Sequence, residues 1–180
     1  MSRFPVLFVC VGNMCRSPFA ERLLRLRLDE RGADELFEVT SAGVMAAPGQ
    51  PMHPQTTRDL EARGGSAQGF GARQFTAVLA DEAGLVLTAT KQIRSRVLQE
   101  APSALRRTFT MLEFAALAGT APAALAPADL VRDCADRRSD AVLPDFDVAD
   151  PIGGPVEGFE QVAAVLDAAV SSIAGSLSRG

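Results

Sequence analysis

An unbroken apolar run, Phe4 to Val9, stands near the N-terminus and gives way at once to a polar, glycine-containing loop. A continuous apolar run bounded by turn residues is the pattern of a strand buried on both faces, as at the centre of a parallel sheet. From Ser17 to about Arg31 the period changes: Ala20, Leu23, Leu24 and Leu28 recur on one helical face, and Gly32 ends the stretch. The alternation then repeats along the chain. Strands are predicted at Phe37–Ser41, Gly84–Thr88 and Arg107–Thr110. Helices are predicted from Pro54 to about Arg63, stopped by Gly64-Gly65, from about Lys91 to Glu100, from Thr110 through Leu117, and from about Ala128 to Arg137. The last helix, Gly158 to about Leu177, carries Val162, Leu166, Ala169, Val170, Ile173 and Leu177 on one stripe. The Ala/Pro-rich stretch Gly119–Pro127 reads as a loop. Alternating strands and helices predict an α/β fold, a central parallel sheet with helices on both faces. No repeat or domain-scale linker interrupts it, so residues 1–180 are expected to form a single domain.

Composition narrows the functional classes. With 47% hydrophobic and 22% charged residues, the chain has the balance of an ordinary globular enzyme rather than a disordered segment. A net charge of −4 leaves no basic footprint for nucleic acid. No apolar stretch approaches the ~20 residues that span a bilayer, and Phe4 to Val11 is too short and too weakly flanked for a signal peptide. Three cysteines, Cys10, Cys15 and Cys134, do not make a secreted disulfide framework, so a reducing cytoplasm is the expected compartment. Only Lys91 among the 18 basic residues is lysine, which together with the alanine richness suggests a GC-rich bacterial genome.

The chemistry is concentrated in Cys10-Val11-Gly12-Asn13-Met14-Cys15-Arg16-Ser17-Pro18, between the first strand and the first helix. A loop at a helix start lets successive backbone N–H groups converge on one anion. Arg16 can grip two phosphoryl oxygens with its planar fork, and Cys10 sits at the base, where a thiolate could attack phosphorus. The sole histidine, His53, is distant in sequence and reads as a loop residue near a helix start. Stabilisation of a thiolate must therefore come from the helix N-terminus, the loop N–H groups, the Ser17 hydroxyl and Arg16. Gly12 is expected to supply a backbone conformation that a β-carbon would hinder, and Asn13 to tolerate a left-handed one. Ser17 is expected at the N-cap and Pro18 at the first helical position. Seven fixed identities at about 5% each recur by chance roughly once in a billion positions, so the phosphate-loop reading outweighs that of an ordinary strand-to-helix turn.

This string resembles the phosphate loop, C-x-G-N-x-C-R-S-P, of the bacterial low-molecular-weight protein tyrosine phosphatases. Asp150-Pro151 is similar to the Asp-Pro dipeptide in which that family carries its general acid, and Ser41-Ala42-Gly43, Gly49-Gln50-Pro51 and Phe109–Phe114 resemble its intervening motifs. The resemblance implies a strand order 2-1-3-4 for the four-stranded sheet. It implies a metal-independent, cofactor-free phosphatase that hydrolyses phosphotyrosine or other aryl phosphate monoesters through a cysteinyl-phosphate. Cys10 would be the nucleophile, Arg16 the phosphate clamp and Asp150 the general acid and base, with Val11, Gly12, Asn13, Met14, Cys15, Arg16 and Ser17 holding the phosphate. It further implies a redox role for Cys15, as a thiol that captures oxidised Cys10, and a phosphotyrosine protein of a bacterial tyrosine kinase system, or a small aryl phosphate, as the partner. Neither nucleic acid nor membrane is expected.

Alternatives are open at this level. Asp145 and Asp147 are rival acids in the same loop, and Cys15 reads equally as a structural residue pointing away from the phosphate. Cys134, in a predicted helix, reads as a buried small apolar residue. An arsenate reductase on the same fold would need further cysteines, of which only Cys134 lies downstream. A phosphoprotein-binding relative with weak turnover is the third reading. The chain has no Trp and no Tyr, so the aromatic walls common around the pocket in this family are replaced by Val11, Met14, Met45 and Ile152.

Overall fold

The computed structural model describes residues 3–179; Met1, Ser2 and Gly180 lie outside them. Four strands and seven α-helices follow one another as β1 Phe4–Cys10, α1 Arg16–Asp29, β2 Phe37–Gly43, α2 Pro54–Glu61, α3 Ala77–Glu82, β3 Leu85–Thr88, α4 Lys91–Glu100, β4 Thr108–Thr110, α5 Met111–Gly119, α6 Pro127–Asp136 and α7 Val156–Leu177. The sheet is parallel throughout, in the order β2-β1-β3-β4. The α/β class and the strand order implied by the resemblance are both observed.

The apolar runs explain why β1 is central. Val6, Leu7, Phe8 and Val9 are fully buried between two layers of helices. Helices α1, α5 and α7 pack together on one face, and α3 and α4 lie on the other, the arrangement that right-handed crossovers impose on this order. The stripe on α7 is buried as its period predicts, from Val162 through Leu166, Val170 and Ile173 to Leu177. Because the connections after β1 and β3 leave for opposite faces, a crevice opens at the carboxyl ends of these two neighbouring strands. Both outer strands also bear a guanidinium. Arg25 donates from Nε and Nη2 to the Val39 carbonyl of β2, and Arg138 donates from Nη2 to the Thr108 carbonyl of β4 at 2.8 Å.

Three local expectations are corrected. Helix α1 begins at Arg16 with Cys15 at the N-cap and no side-chain cap. The Ser17 hydroxyl is drawn instead to Cys10 Sγ, 2.9 Å away, and Pro18 falls inside the first turn. The left-handed backbone lies at Asn13, with φ of 53°, and not at Gly12, because Asn13 has side-chain partners that hold it there. Helix α3, absent from the sequence reading, occupies Ala77–Glu82; six residues without a side-chain cap leave no period to detect. The remaining elements agree within a few residues of the predicted boundaries.

Candidate active site

The loop after β1 is held by its carbonyls, and this leaves its N–H groups other than that of Asn13 free for an anion. Val44 N–H donates to the Cys10 carbonyl at 3.0 Å, Met45 N–H to Val11 at 2.9 Å and His53 N–H to Met14 at 2.9 Å. With the carbonyls turned outward and no side-chain cap on α1, the first-turn N–H groups and the positive end of the helix face inward. Gly43 makes this possible. A β-carbon there would stand 2.5 Å from the Val11 carbonyl oxygen and 2.7 Å from Asn13 N, so only glycine lets the end of β2 lie against the loop.

Cys10 is buried, and its sulfur has two partners, the Ser17 hydroxyl at 2.9 Å and the Asn13 N–H at 3.3 Å. Asn13 is fully buried and every polar atom of its side chain is used. Its Nδ2 donates to Ser17 Oγ at 2.9 Å and to Ser41 Oγ at 2.8 Å, and its Oδ1 accepts from Arg73 N–H at 2.8 Å. Ser41 in turn donates to the buried carboxylate of Glu21 at 2.5 Å. Glu21 and Ser41 were not singled out by sequence reasoning as site residues. Glu21 reads as an ordinary charged position beside Arg22 on an amphipathic helix, and its partner is 20 residues away.

Arg16 is 4% exposed. Its Nη1 donates to the Val148 carbonyl at 3.1 Å and its Nη2 to Asp150 Oδ2 at 2.8 Å. The fork therefore bridges the loop to a segment 134 residues away. That segment is fixed to the sheet by Val148 N–H, which donates to the Ala89 carbonyl at the end of β3. Here the rival acids separate. Asp147 Oδ1 accepts from Lys91 N–H at 2.8 Å at the start of α4, and Asp145 Oδ1 accepts from Asp147 N–H. Asp150 alone of the three meets Arg16, and its side chain is 45% exposed. Val11, Met45 and Ile152 are exposed apolar residues on these same segments, and Met14 is half-buried. Cys10, Arg16, Ser17 and Asp150 thus converge at the crevice, with Val11 to Cys15 forming the wall of the loop.

Residues 5–127 match the family described as low molecular weight phosphotyrosine protein phosphatase. The chain belongs to that family. A relative named protein-arginine-phosphatase, from Geobacillus stearothermophilus, is 30% identical over 97% of this chain and 96% of its own length. Wzb from Escherichia coli K12, named a low molecular weight protein-tyrosine-phosphatase, is 39% identical over 54% of this chain and 62% of its own. Among solved structures, the YwlE arginine phosphatase of G. stearothermophilus superposes with a TM-score of 0.73 at 29% identity, covering 97% of this chain and 92% of that one. The AmsI tyrosine phosphatase of Erwinia amylovora superposes with a TM-score of 0.75 at 26% identity, covering 99% and 95%.

The other two thiols of this phosphatase lie in apolar surroundings. Burial pushes Cys15 up to about 11, partly offset by a hydrogen bond to Thr56. Burial likewise pushes Cys134, fully enclosed in α6, up to about 12. An unfolded chain ionises its thiols near ~8.5. It therefore releases protons before the folded state does, and the stability the buried thiols contribute is intact below that pH and lost as pH rises toward the folded values. The chain has no tyrosine and one lysine, so few other groups titrate there. Unfolding free energy is expected to fall by about 2 kcal/mol between pH 9 and pH 10, roughly 1 kcal/mol per thiol. Denaturant titrations at the two pH values check this, and Cys134→Ala is expected to halve the fall. His53 is the N-cap of α2, where its Nδ1 accepts from Gln55 N–H, and its ring stacks on Phe159 of α7 at 4.6 Å. Among the described residues no group of three or more His, Cys, Asp or Glu is placed to hold a metal ion, and no helix is long and apolar enough to cross a membrane.

Proposed function

We propose that this phosphatase hydrolyses phosphotyrosine and related aryl phosphate monoesters through a cysteinyl-phosphate intermediate. The observation that carries the reading is the Arg16–Asp150 contact of 2.8 Å beside the Cys10–Ser17 pair. It joins a nucleophile, an anion clamp and an acid from opposite ends of the chain. The phosphoryl group docks against the loop N–H groups and the Arg16 fork. The dianion displaces Asp150 from Arg16, and Asp150 enters the step in its protonated form, the form a general acid requires. Cys10 thiolate, with the Ser17 hydroxyl and Asn13 N–H on its sulfur, attacks in line. The S–P bond forms as the P–O bond to the aryl group breaks, and Asp150 gives its proton to the leaving oxygen. The Asp150 carboxylate then takes a proton from water, whose oxygen attacks phosphorus. The S–P bond breaks, inorganic phosphate leaves and the thiolate is restored. Arg16 and the loop N–H groups hold the equatorial oxygens throughout, so the steps need no metal or cofactor.

Redox capture by Cys15 is not part of this scheme. Its thiol is bonded to Thr56 and stays protonated to about pH 11, which slows any thiolate attack on an oxidised Cys10. Cys134 is sealed in the core, which does not favour a cysteine-relay arsenate reductase. A reducing compartment, the cytoplasm, suits three free thiols.

The apolar rim of Val11, Met45 and Ile152 favours a phenyl ring, and with it a phosphotyrosine protein of a bacterial tyrosine kinase system as partner. A second reading, phosphoarginine as substrate, is favoured by the end-to-end similarity to a relative named protein-arginine-phosphatase. The two readings are separated by one peptide sequence carrying either phosphotyrosine or phosphoarginine, assayed for phosphate release with chelator present. The aryl reading expects the higher kcat/KM on phosphotyrosine. A preference of tenfold or more, about 1.4 kcal/mol, for phosphoarginine would replace it. No release from either, nor from p-nitrophenyl phosphate, would move the chain to a binding role.

A further inference from the structure

The buried carboxylate of Glu21 is not needed for any step of the scheme above, yet it stands at the end of an unbroken hydrogen-bond chain to the nucleophile. We infer that Glu21 is a positioning residue that fixes the direction of every donor between α1 and the Cys10 sulfur. The inference rests on the reading of Cys10 as the nucleophile.

The direction follows from what each group can do. A carboxylate only accepts, so the Ser41 hydroxyl must spend its single proton on Glu21 Oε2. Ser41 Oγ can then only accept from Asn13, which it does at 2.8 Å. The second Asn13 Nδ2–H goes to Ser17 Oγ at 2.9 Å, while Arg73 N–H holds the opposite end of the amide. Ser17 Oγ therefore receives a hydrogen bond, and its own proton is left for the Cys10 sulfur at 2.9 Å or for the Ala42 carbonyl at 3.3 Å. A charged sulfur takes it. Asn13 also holds its left-handed φ of 53° through these bonds, and its own N–H donates to the same sulfur. Both hydrogen bonds to Cys10 thus depend on how Asn13 is held.

Only a carboxylate fits the far end. The other oxygen of Glu21, Oε1, faces Arg25 Nη2 at 2.9 Å and Arg22 Nε at 3.4 Å. Glu21 accepts a hydrogen bond from a hydroxyl on one side and is ion-paired with two guanidinium groups on the other. An amide in its place would set an NH2 either against Ser41, reversing the chain, or against Arg25, donor to donor. Arg25 is itself fastened to the Val39 carbonyl, and the Arg22 guanidinium lies over Phe70, so neither is free to turn away.

The test reads the sulfur directly. Iodoacetamide alkylation of Cys10 is followed at pH 6 and pH 9 in wild type, Glu21→Gln, Ser17→Ala and the double variant, and needs no phosphatase activity. In Glu21→Gln the rate at pH 6 is expected to fall about tenfold relative to that at pH 9, the effect of weakening one hydrogen bond to a buried charge. In the Ser17→Ala background the same substitution is expected to have less than half that effect, since part of the path through which it acts is gone. Ser41→Ala, which cuts the chain and leaves both arginines paired, is expected to reproduce Glu21→Gln and carries the test if that variant does not fold. An unchanged pH 6 to pH 9 ratio, or equal effects with and without Ser17, would overturn the inference. Loss of p-nitrophenyl phosphate hydrolysis with an unchanged alkylation profile would do the same and leave the reading of Cys10 standing. A wild type that alkylates but does not hydrolyse would fail that reading instead.

Discussion

Cys10→Ser is expected to lower kcat for p-nitrophenyl phosphate by about 10⁴-fold or more, the scale seen when a covalent nucleophile is removed from a site that otherwise stays whole. The loop is held by backbone bonds from Val44, Met45 and His53, none of which involves the sulfur. The variant is therefore expected to fold and to keep its affinity for oxyanions, so loss of turnover reports on chemistry alone. Inorganic phosphate titrated against thermal stability supplies the control: equal stabilisation of wild type and variant, with turnover gone, is the expected pair of results. A variant that still hydrolyses within tenfold of wild type would remove Cys10 from the mechanism.

The second large effect concerns Asp150. Asp150→Ala is expected to reduce kcat/KM about 10²- to 10³-fold on phenyl phosphate and several-fold less on p-nitrophenyl phosphate, because a better leaving group needs less help from an acid. Arg16 keeps the Val148 carbonyl as a partner, so phosphate binding is expected to change little. Equal losses in kcat/KM on both esters would show that Asp150 acts by holding Arg16 rather than by proton transfer to the leaving group. The contrast with Asp147→Asn is informative. That residue caps α4 through Lys91 N–H, and its loss is expected to leave the leaving-group dependence unchanged.

The features legible in the sequence were those whose cause is local. The loop from Cys10 to Pro18 is contiguous, and the stripe on α7 runs from Val162 to Leu177 of a 22-residue helix. The apolar run of β1 needs no partner to be recognised as buried. What escaped was set by partners far along the chain. Ser17 is a sound N-cap by composition, but the sulfur 2.9 Å away claims its hydroxyl, and the helix starts without a cap. Gly12 drew attention by lying inside the loop, yet the close approach belongs to Gly43, whose crowding depends on β2 reaching the loop. The three aspartates of the 145–150 segment are alike in sequence. What separates them lies far along the chain: Arg16 for Asp150, and the Lys91 N–H, 56 residues away, for Asp147. Glu21 lies among arginines on a helix whose polar face would have predicted solvent, and only the fold brings Ser41 to it.

The guanidinium groups on the Val39 and Thr108 carbonyls bear on a different hazard. An open sheet presents unpaired backbone at both rims, and such rims recruit strands from other molecules during synthesis or heating. Here an incoming strand would have to dislodge a charged, already bonded side chain at each rim before it could extend the ladder. The chain therefore carries its own guard against fibrillar self-association, built from residues that also hold α1 and the segment after α6 in place.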